Sequence, residues 1–235
     1  MKQIRYPHAA TQQLESLEPL NAPRLHDQIY DLLVAGLDFT PERAVEYQDK
    51  IALLGTLQMI AADYTAEAGP FGDVFGEYLE CTGQADIRTG QFLTPVDLAD
   101  LTAKFTCGDL DLGGRPKLIS DPTAGTGRFM LRVAKHFAEQ NEGCLNFLFV
   151  NTDTDRRMFT YSVMNAILHR IPSICIHGDT IKVEAWEAFA TIPMGSFARW
   201  ERVRLDVAKD LIVAGKQAHQ PVAAAARFPG VRTEG

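Results

Sequence analysis

The sequence predicts an α/β fold, an open sheet flanked by helices and preceded by a helical N-terminal cap. Three observations predict it. A short apolar run at 116–120 leads into Asp121-Pro122-Thr123-Ala124-Gly125-Thr126-Gly127, and apolar residues at helical spacing follow from Phe129 to Phe137, so the unit is strand, glycine turn, helix. Two more buried-strand patterns, at 146–150 and 173–176, alternate with a helical pattern through Phe159, Val163 and Ile167. Upstream, 26–33, 41–64 and 71–80 all read as helices.

In chain order, 1–24 is polar and holds Pro7, Pro19 and Pro23, which reads as a loosely attached arm. Thr40-Pro41 starts a helix, with Thr40 as N-cap and Pro41 at the first helical position. Ile51, Leu54, Leu57, Gln58, Ile60 and Ala61 continue one stripe, and Gly69-Pro70 stops it. Val74, Phe75, Tyr78 and Leu79 give 71–80 one apolar face. Thr94-Pro95 repeats the start signal, and Leu98, Leu101, Thr102 and Phe105 follow at helical spacing. Ser196 to Lys216 reads as one long helix that either covers the bare sheet edge at 116–120, where a second copy of the chain is the alternative, or meets a partner or nucleic acid. The stretch 223–235 reads as a tail. The domains expected are an arm (1–24), a helical cap (25–88), a ligand-binding core (89–195) and a C-terminal helix with tail (196–235).

Composition narrows the function. The 235 residues are 46% hydrophobic, enough for one sizeable core. A net charge of −7 argues against gripping DNA phosphates by bulk charge, although 196–235 holds seven Lys/Arg against four Asp/Glu. Cys81, Cys107, Cys144 and Cys175 are scattered without metal-ligand spacing, so they are expected as small buried hydrophobes, with no metal site. No stretch has the length and apolarity of a membrane span, which predicts a cytoplasmic protein.

Gly125 and Gly127 let the backbone turn sharply and approach a ligand at the carboxyl end of the first strand. A dinucleotide fingerprint would need glycine at position 130, which is Met130, and the Gly-Lys-Ser/Thr of a phosphate loop is absent. Asp153 closes the second strand 26 residues after Gly127, where a carboxylate can accept both ribose hydroxyls of a nucleoside. Asp155 is the alternative, although its position also suits an N-cap. Asp179, after the third strand, either accepts from an adenine amino group or is a plain turn aspartate.

The Asp-Pro-x-x-Gly-x-Gly-x-Phe of 121–129 resembles motif I of the S-adenosylmethionine-dependent N6-adenine DNA methyltransferases. Gly90-Gln91-Phe92-Leu93-Thr94-Pro95 is similar to an element that precedes motif I in the modification subunits of type I restriction systems. Asn151-Thr152-Asp153 is placed like the acidic motif II, and Gly178-Asp179 like motif III. Met164-Asn165 with Leu168-His169-Arg170-Ile171 resembles that family's Met-Asn-x-x-x-His-Gly-Ile. The resemblance implies an abbreviated Rossmann-like methyltransferase sheet that binds S-adenosylmethionine through Phe92, Thr94, Asp121, Thr123, Gly125, Gly127, Asp153 and Asp179.

One piece of the pattern is missing. The family's fourth strand ends in Asn-Pro-Pro-aromatic, whose side-chain oxygen and backbone carbonyl accept from the exocyclic amine of a flipped adenine. This sequence has no Pro-Pro, and the nearest stretch is Thr191-Ile192-Pro193-Met194-Gly195-Ser196-Phe197. The 54 residues after Ile181 are also too few for the remaining strands of a seven-stranded sheet plus a target-recognition domain. The catalytic residues therefore stay unassigned. Two functions are expected: a partial or split DNA adenine methylase that reaches DNA through a partner chain, or a catalytically silent binding or regulatory protein. A homo-oligomer or a second subunit fits either.

Overall fold

The computed structural model describes residues 8–19, 23–84, 92–107, 117–140 and 147–217. Gly90 and Gln91, Cys144 and the tail at 223–235 lie outside the described residues. The chain divides into two compact units, Met1–Leu93 and Thr94–Gly235.

The first unit is helical: α1 (Ala9–Ser16), α2 (Leu25–Leu37), a 3-10 helix (Pro41–Tyr47), α3 (Gln48–Ala68) and α4 (Val74–Thr82). The stretch expected as an arm carries α1, whose Ala10 and Leu14 are buried. A single apolar pair every four residues is enough to dock a short helix, and the flanking prolines hide that signal. Pro41 opens a 3-10 helix before α3, and the side chain of Thr40 does not cap it. Leu57, Ile60, Ala61 and Tyr64 form the buried stripe of α3, while Ile51 and Gln58 lie outside it on the solvent side. In α4, Asp73 accepts from the Gly76 N–H, and Val74, Phe75, Tyr78 and Leu79 are buried as their spacing predicts.

The second unit is α/β. It holds α5 (Val96–Cys107), β1 (Lys117–Asp121), α6 (Arg128–Glu139), β2 (Phe147–Asp153), α7 (Arg156–His169), β3 (Ser173–Asp179), β4 (Glu184–Met194), β5 (Phe197–Arg202) and α8 (Leu205–Lys216). The sheet runs in the order β1-β2-β3-β4-β5. β1, β2 and β3 are parallel, and β4 and β5 add antiparallel, so the sheet is mixed. The stretch expected as one long helix over 196–216 is instead β5 followed by α8. In Phe197-Ala198-Arg199-Trp200-Glu201-Arg202, aromatic, small and charged residues fit a half-exposed strand as well as a helix, and pairing with β4 decides.

Period-two alternation sorts the two sheet faces. Leu148, Val150, Ile174, Ile176, Ala188 and Ala190 pack with Ala208, Leu211 and Ile212 of α8, so α8 covers a face, not the edge. On the other face Phe137 of α6 stacks on Phe147 at 3.9 Å, and Phe159 of α7 stacks on Phe189 at 5.8 Å. α7 is buried from Met158 to Ile167, the pattern of a helix enclosed on all sides.

α5 begins at Val96, two residues after Thr94, and the Pro95 carbonyl accepts from Ala99 N–H. Its buried positions are Ala99, Ala103 and Cys107, a small-residue row that lets α5 lie close against α6. Leu98, Leu101 and Phe105, the residues its spacing offers as a core stripe, are 51%, 48% and 83% exposed. Cys107 and Cys175 are buried and free, whereas Cys81 is free but exposed, contrary to the expectation for it. No helix among the described residues is long and apolar enough to cross a membrane.

Candidate functional site

The parallel strands end in three carboxylates at successive heights. Asp121 is level with Asn151, and Asp153 is level with His177, so Asp153 stands two residues beyond Asp121 and Asp179 two beyond Asp153. Each step is about 7 Å along the strand direction. The glycine turn fills the space above β1 and leans on β2, where the Thr152 carbonyl accepts from Ala124 N–H.

Asp153 joins strand to turn. Its Oδ2 accepts from Gly125 N–H at 2.8 Å and its Oδ1 from Asp155 N–H at 2.8 Å. A carboxylate has about four acceptor positions, so two remain for a ligand's paired hydroxyls. Burial pushes the Asp153 carboxyl above the usual carboxylate range, against the two backbone N–H bonds, which favour the ionised form. Asp121 is also raised, first by burial, and the nearby Asp153 charge adds to it. Its Oδ1 accepts from Thr123 N–H at 3.1 Å.

Gly125 and Gly127 have φ of 56° and 85°, the left-handed region that favours glycine. A Cβ on Gly127 would stand 2.9 Å from Ser162 Oγ and 3.1 Å from Met130 Cε. That glycine is therefore required by the protein behind the turn as well as by its φ. Gly127 N–H donates to the Ala124 carbonyl, and the Gly127 carbonyl starts α6 by accepting from Leu131 N–H. Arg128, the first residue of α6, is buried and donates from Nη1 to the Thr94 carbonyl at 2.7 Å. Thr94, the following helix and the glycine turn are thereby connected within the second unit. Phe92 lies in the first unit and is 74% exposed.

Asp179 is committed to its own turn. Oδ1 accepts from Ile181 and Lys182 N–H at 2.9 and 3.1 Å, and Oδ2 pairs with the Lys182 ammonium at 3.5 Å. The Lys182 backbone N–H, followed by the other turn contacts, holds this carboxyl below its usual range. This geometry fits the plain turn aspartate. The preceding Gly178 has its own cause, since a Cβ there would run into the Glu184 carbonyl oxygen of β4. Thr180 Oγ1 donates to the Pro122 carbonyl at 3.0 Å, tying the β3 loop to the β1 loop. Asp155 caps α7 by accepting from Arg157 and Met158 N–H, as its position predicts.

Thr191 to Met194 lies at the wrong end of the sheet for this site. Thr191 pairs with Ser173, the first residue of β3, whereas Asp179 at the other end of β3 pairs with Glu184. An antiparallel β4 carries its carboxyl end away from the carboxylates, and Ser196 and Phe197 go with it.

The sequence from the last residues of α3 into α8 matches a protein-family model. Residues 67–213 fit the model described as N-6 DNA Methylase, well over half the chain. The chain belongs to the N-6 DNA methylase family. Among curated relatives, it is 26% identical over 121 residues to the Type I restriction enzyme MpnII methylase subunit of Mycoplasma pneumoniae. That alignment covers 50% of this chain but 21% of the relative, so the chain spans about a fifth of the relative's length. No solved structure matches the chain. Inside this N-6 DNA methylase unit, spacing alone does not reveal the buried polar layer of Asn151, Ser162, Asn165 and Cys175. Asn151 and Asn165 are signalled in advance only as members of the motif II and Met-Asn stretches, and Cys175 only as a buried cysteine.

Proposed function

We propose that this chain binds S-adenosylmethionine at the glycine turn and forms part of a DNA adenine methylase whose amine-acceptor group comes from another chain. The observation that carries the reading is the Asp153 carboxylate, which holds Gly125 N–H at 2.8 Å and keeps two acceptor positions in hand. Gly125 and Gly127 give the close backbone approach that a nucleoside needs above β1, and Asp121 places a carboxyl on that side of the turn, bonded to Thr123 N–H. When bound, S-adenosylmethionine supplies an electrophilic methyl group. The chain's own residues orient it: Asp153 takes the ribose hydroxyls, and the Thr94 to Arg128 link fixes the start of α6 beside the turn. A Rossmann-like arrangement, a cytoplasmic location and Phe92 and Thr123 as contacts belong to the same proposal. Asp179 enters it as a turn-forming residue, its amine-accepting role weakened by the turn bonds.

Methyl transfer to an adenine amine needs paired acceptors in line with the methyl group. Thr191 and Ser196 offer only hydroxyls, at the opposite end of the sheet. The relative's name, a methylase subunit, supports association with other chains. Among the described residues, β1 is an outer strand of the sheet, where such a chain could add. A catalytically silent binding protein is the second reading, supported by the same distance between hydroxyls and turn. Equilibrium dialysis against S-adenosyl-[methyl-³H]methionine tests the first step. Saturable retention of label is expected, and the same samples mixed with genomic DNA at low salt are expected to transfer none. Absence of retention at millimolar ligand refutes the reading.

A further inference from the structure

We infer that Asn165 is a positioning residue for the cofactor turn, holding the Thr126 carbonyl inward so that the Gly125 to Gly127 backbone keeps one shape. The inference rests on the proposed binding of S-adenosylmethionine to that turn. Asn165 Nδ2 donates to the Thr126 carbonyl at 2.9 Å, across 39 residues of sequence, and both residues are fully buried. Thr126 lies between two left-handed glycines. Glycine accepts φ of either sign, so the peptide between Thr126 and Gly127 has little intrinsic preference for which way its carbonyl points. Some external group must choose, and the amide of Asn165 does so. A flipped peptide would turn the carbonyl toward the ligand's side and take its acceptor away from a buried amide donor.

The rest of α7 supports the same function. Ser162 stands three residues earlier, on the same face of the helix. Its Oγ occupies the space a Gly127 side chain would need, and it accepts from Asn151 Nδ2 at 3.1 Å. Asn151 also donates to Met130 Sδ at 3.2 Å, which ties β2 to α6. One face of α7 thus sets both the room behind the turn and the direction of its carbonyl. The chemistry also explains the residue type. Leucine at this position has similar bulk but no donor, and an aspartate would set a carboxylate against a carbonyl.

The test uses the full chain and S-adenosylhomocysteine as probe, by calorimetry from pH 5 to pH 8, with circular dichroism at each pH to confirm folding. Asn165→Leu is expected to weaken binding about tenfold relative to wild type at every pH, the loss of one buried hydrogen bond. Asn165→Asp is expected to weaken it at least as much at pH 8. Its ratio to wild type should then shrink as pH falls, because a protonated carboxyl regains an O–H donor. A role limited to packing would give no such pH-dependent ratio. In wild type, the Asn165 side-chain amide protons are expected to resist hydrogen exchange, and this reading holds even where a variant fails to fold. Fast exchange there, or folded variants that bind within twofold of wild type at pH 8, overturn the inference while leaving cofactor binding intact. Wild type that binds nothing overturns both.

Discussion

In the proposed reading Asp153 is the residue on which cofactor recognition turns, and its environment gives two expectations. Asp153→Ala removes an acceptor from Gly125 N–H and from two ligand hydroxyls, so it should cost about 1–3 kcal/mol of binding free energy, read by calorimetry. The second expectation concerns pH. Burial raises the carboxyls of Asp153 and Asp121. A raised carboxyl takes its proton at a higher pH than an exposed one, and only the ionised form is a pure acceptor. Affinity should be complete well above the raised values and fall as pH drops through them, starting above the ordinary carboxylate range. Folding responds with the opposite sign: these two groups gain stability as pH falls toward the unfolded-state value, because the folded state binds their protons more tightly. Asp153→Asn should flatten the affinity profile over that range, and a profile as steep as wild type would contradict the assignment. Gly127 has a different failure mode. Its missing Cβ faces Ser162 and Met130, so Gly127→Val should lower the melting temperature as well as binding, through φ strain of about 1–3 kcal/mol plus overpacking.

At the scale of elements, the β4–β5 hairpin and α8 complete the sheet. Leu211 of α8 is fully buried in the core cluster that also holds Val150, Ile176 and Ala188, so Leu211→Ala should destabilise by about 2–5 kcal/mol in urea titrations. Deleting 196–235 removes β5 and α8 together and bares that face, so the product should aggregate; a monodisperse, folded truncation by light scattering would refute this. The strand, glycine turn and helix at 117–139 are legible in the sequence because a two-glycine turn between two apolar patterns has few other solutions. The Asp155 cap is legible for the same local reason. β5 is not legible, because its identity comes from pairing with β4, a non-local fact. Nor is the packing face of α5, where the spacing of Leu98, Leu101 and Phe105 is sound but small residues win the helix contact. The contacts of the layer behind the turn escape as well: Asn151 and Asn165 stand in recognised motifs, but their joining with Ser162 depends on three elements meeting.

For the whole molecule, the glycine turn, Asp121 and Asp153 occupy one end of the sheet, and the hydroxyls of Thr191 and Ser196 the other. On the proposed reading, that separation leaves the binding site without an acceptor pair among the described residues. The N-6 DNA methylase match spans 67–213 and so reaches into both compact units. On the same reading, the net charge of −7 predicts that binding DNA needs basic surface supplied by another chain. The purified chain should therefore transfer no methyl group to mixed-sequence DNA. Incorporation clearly above that of Asp153→Ala would show that an acceptor lies nearer the turn than Thr191 and Ser196. The central claim, that the turn and Asp153 form a nucleoside site, is tested most directly by calorimetric titration of wild type and Asp153→Ala with S-adenosylhomocysteine at pH 8. Saturable heat with wild type, weakened about fivefold or more in the variant, is the result predicted. No heat with wild type at millimolar ligand, or equal affinity in the two proteins, would contradict it.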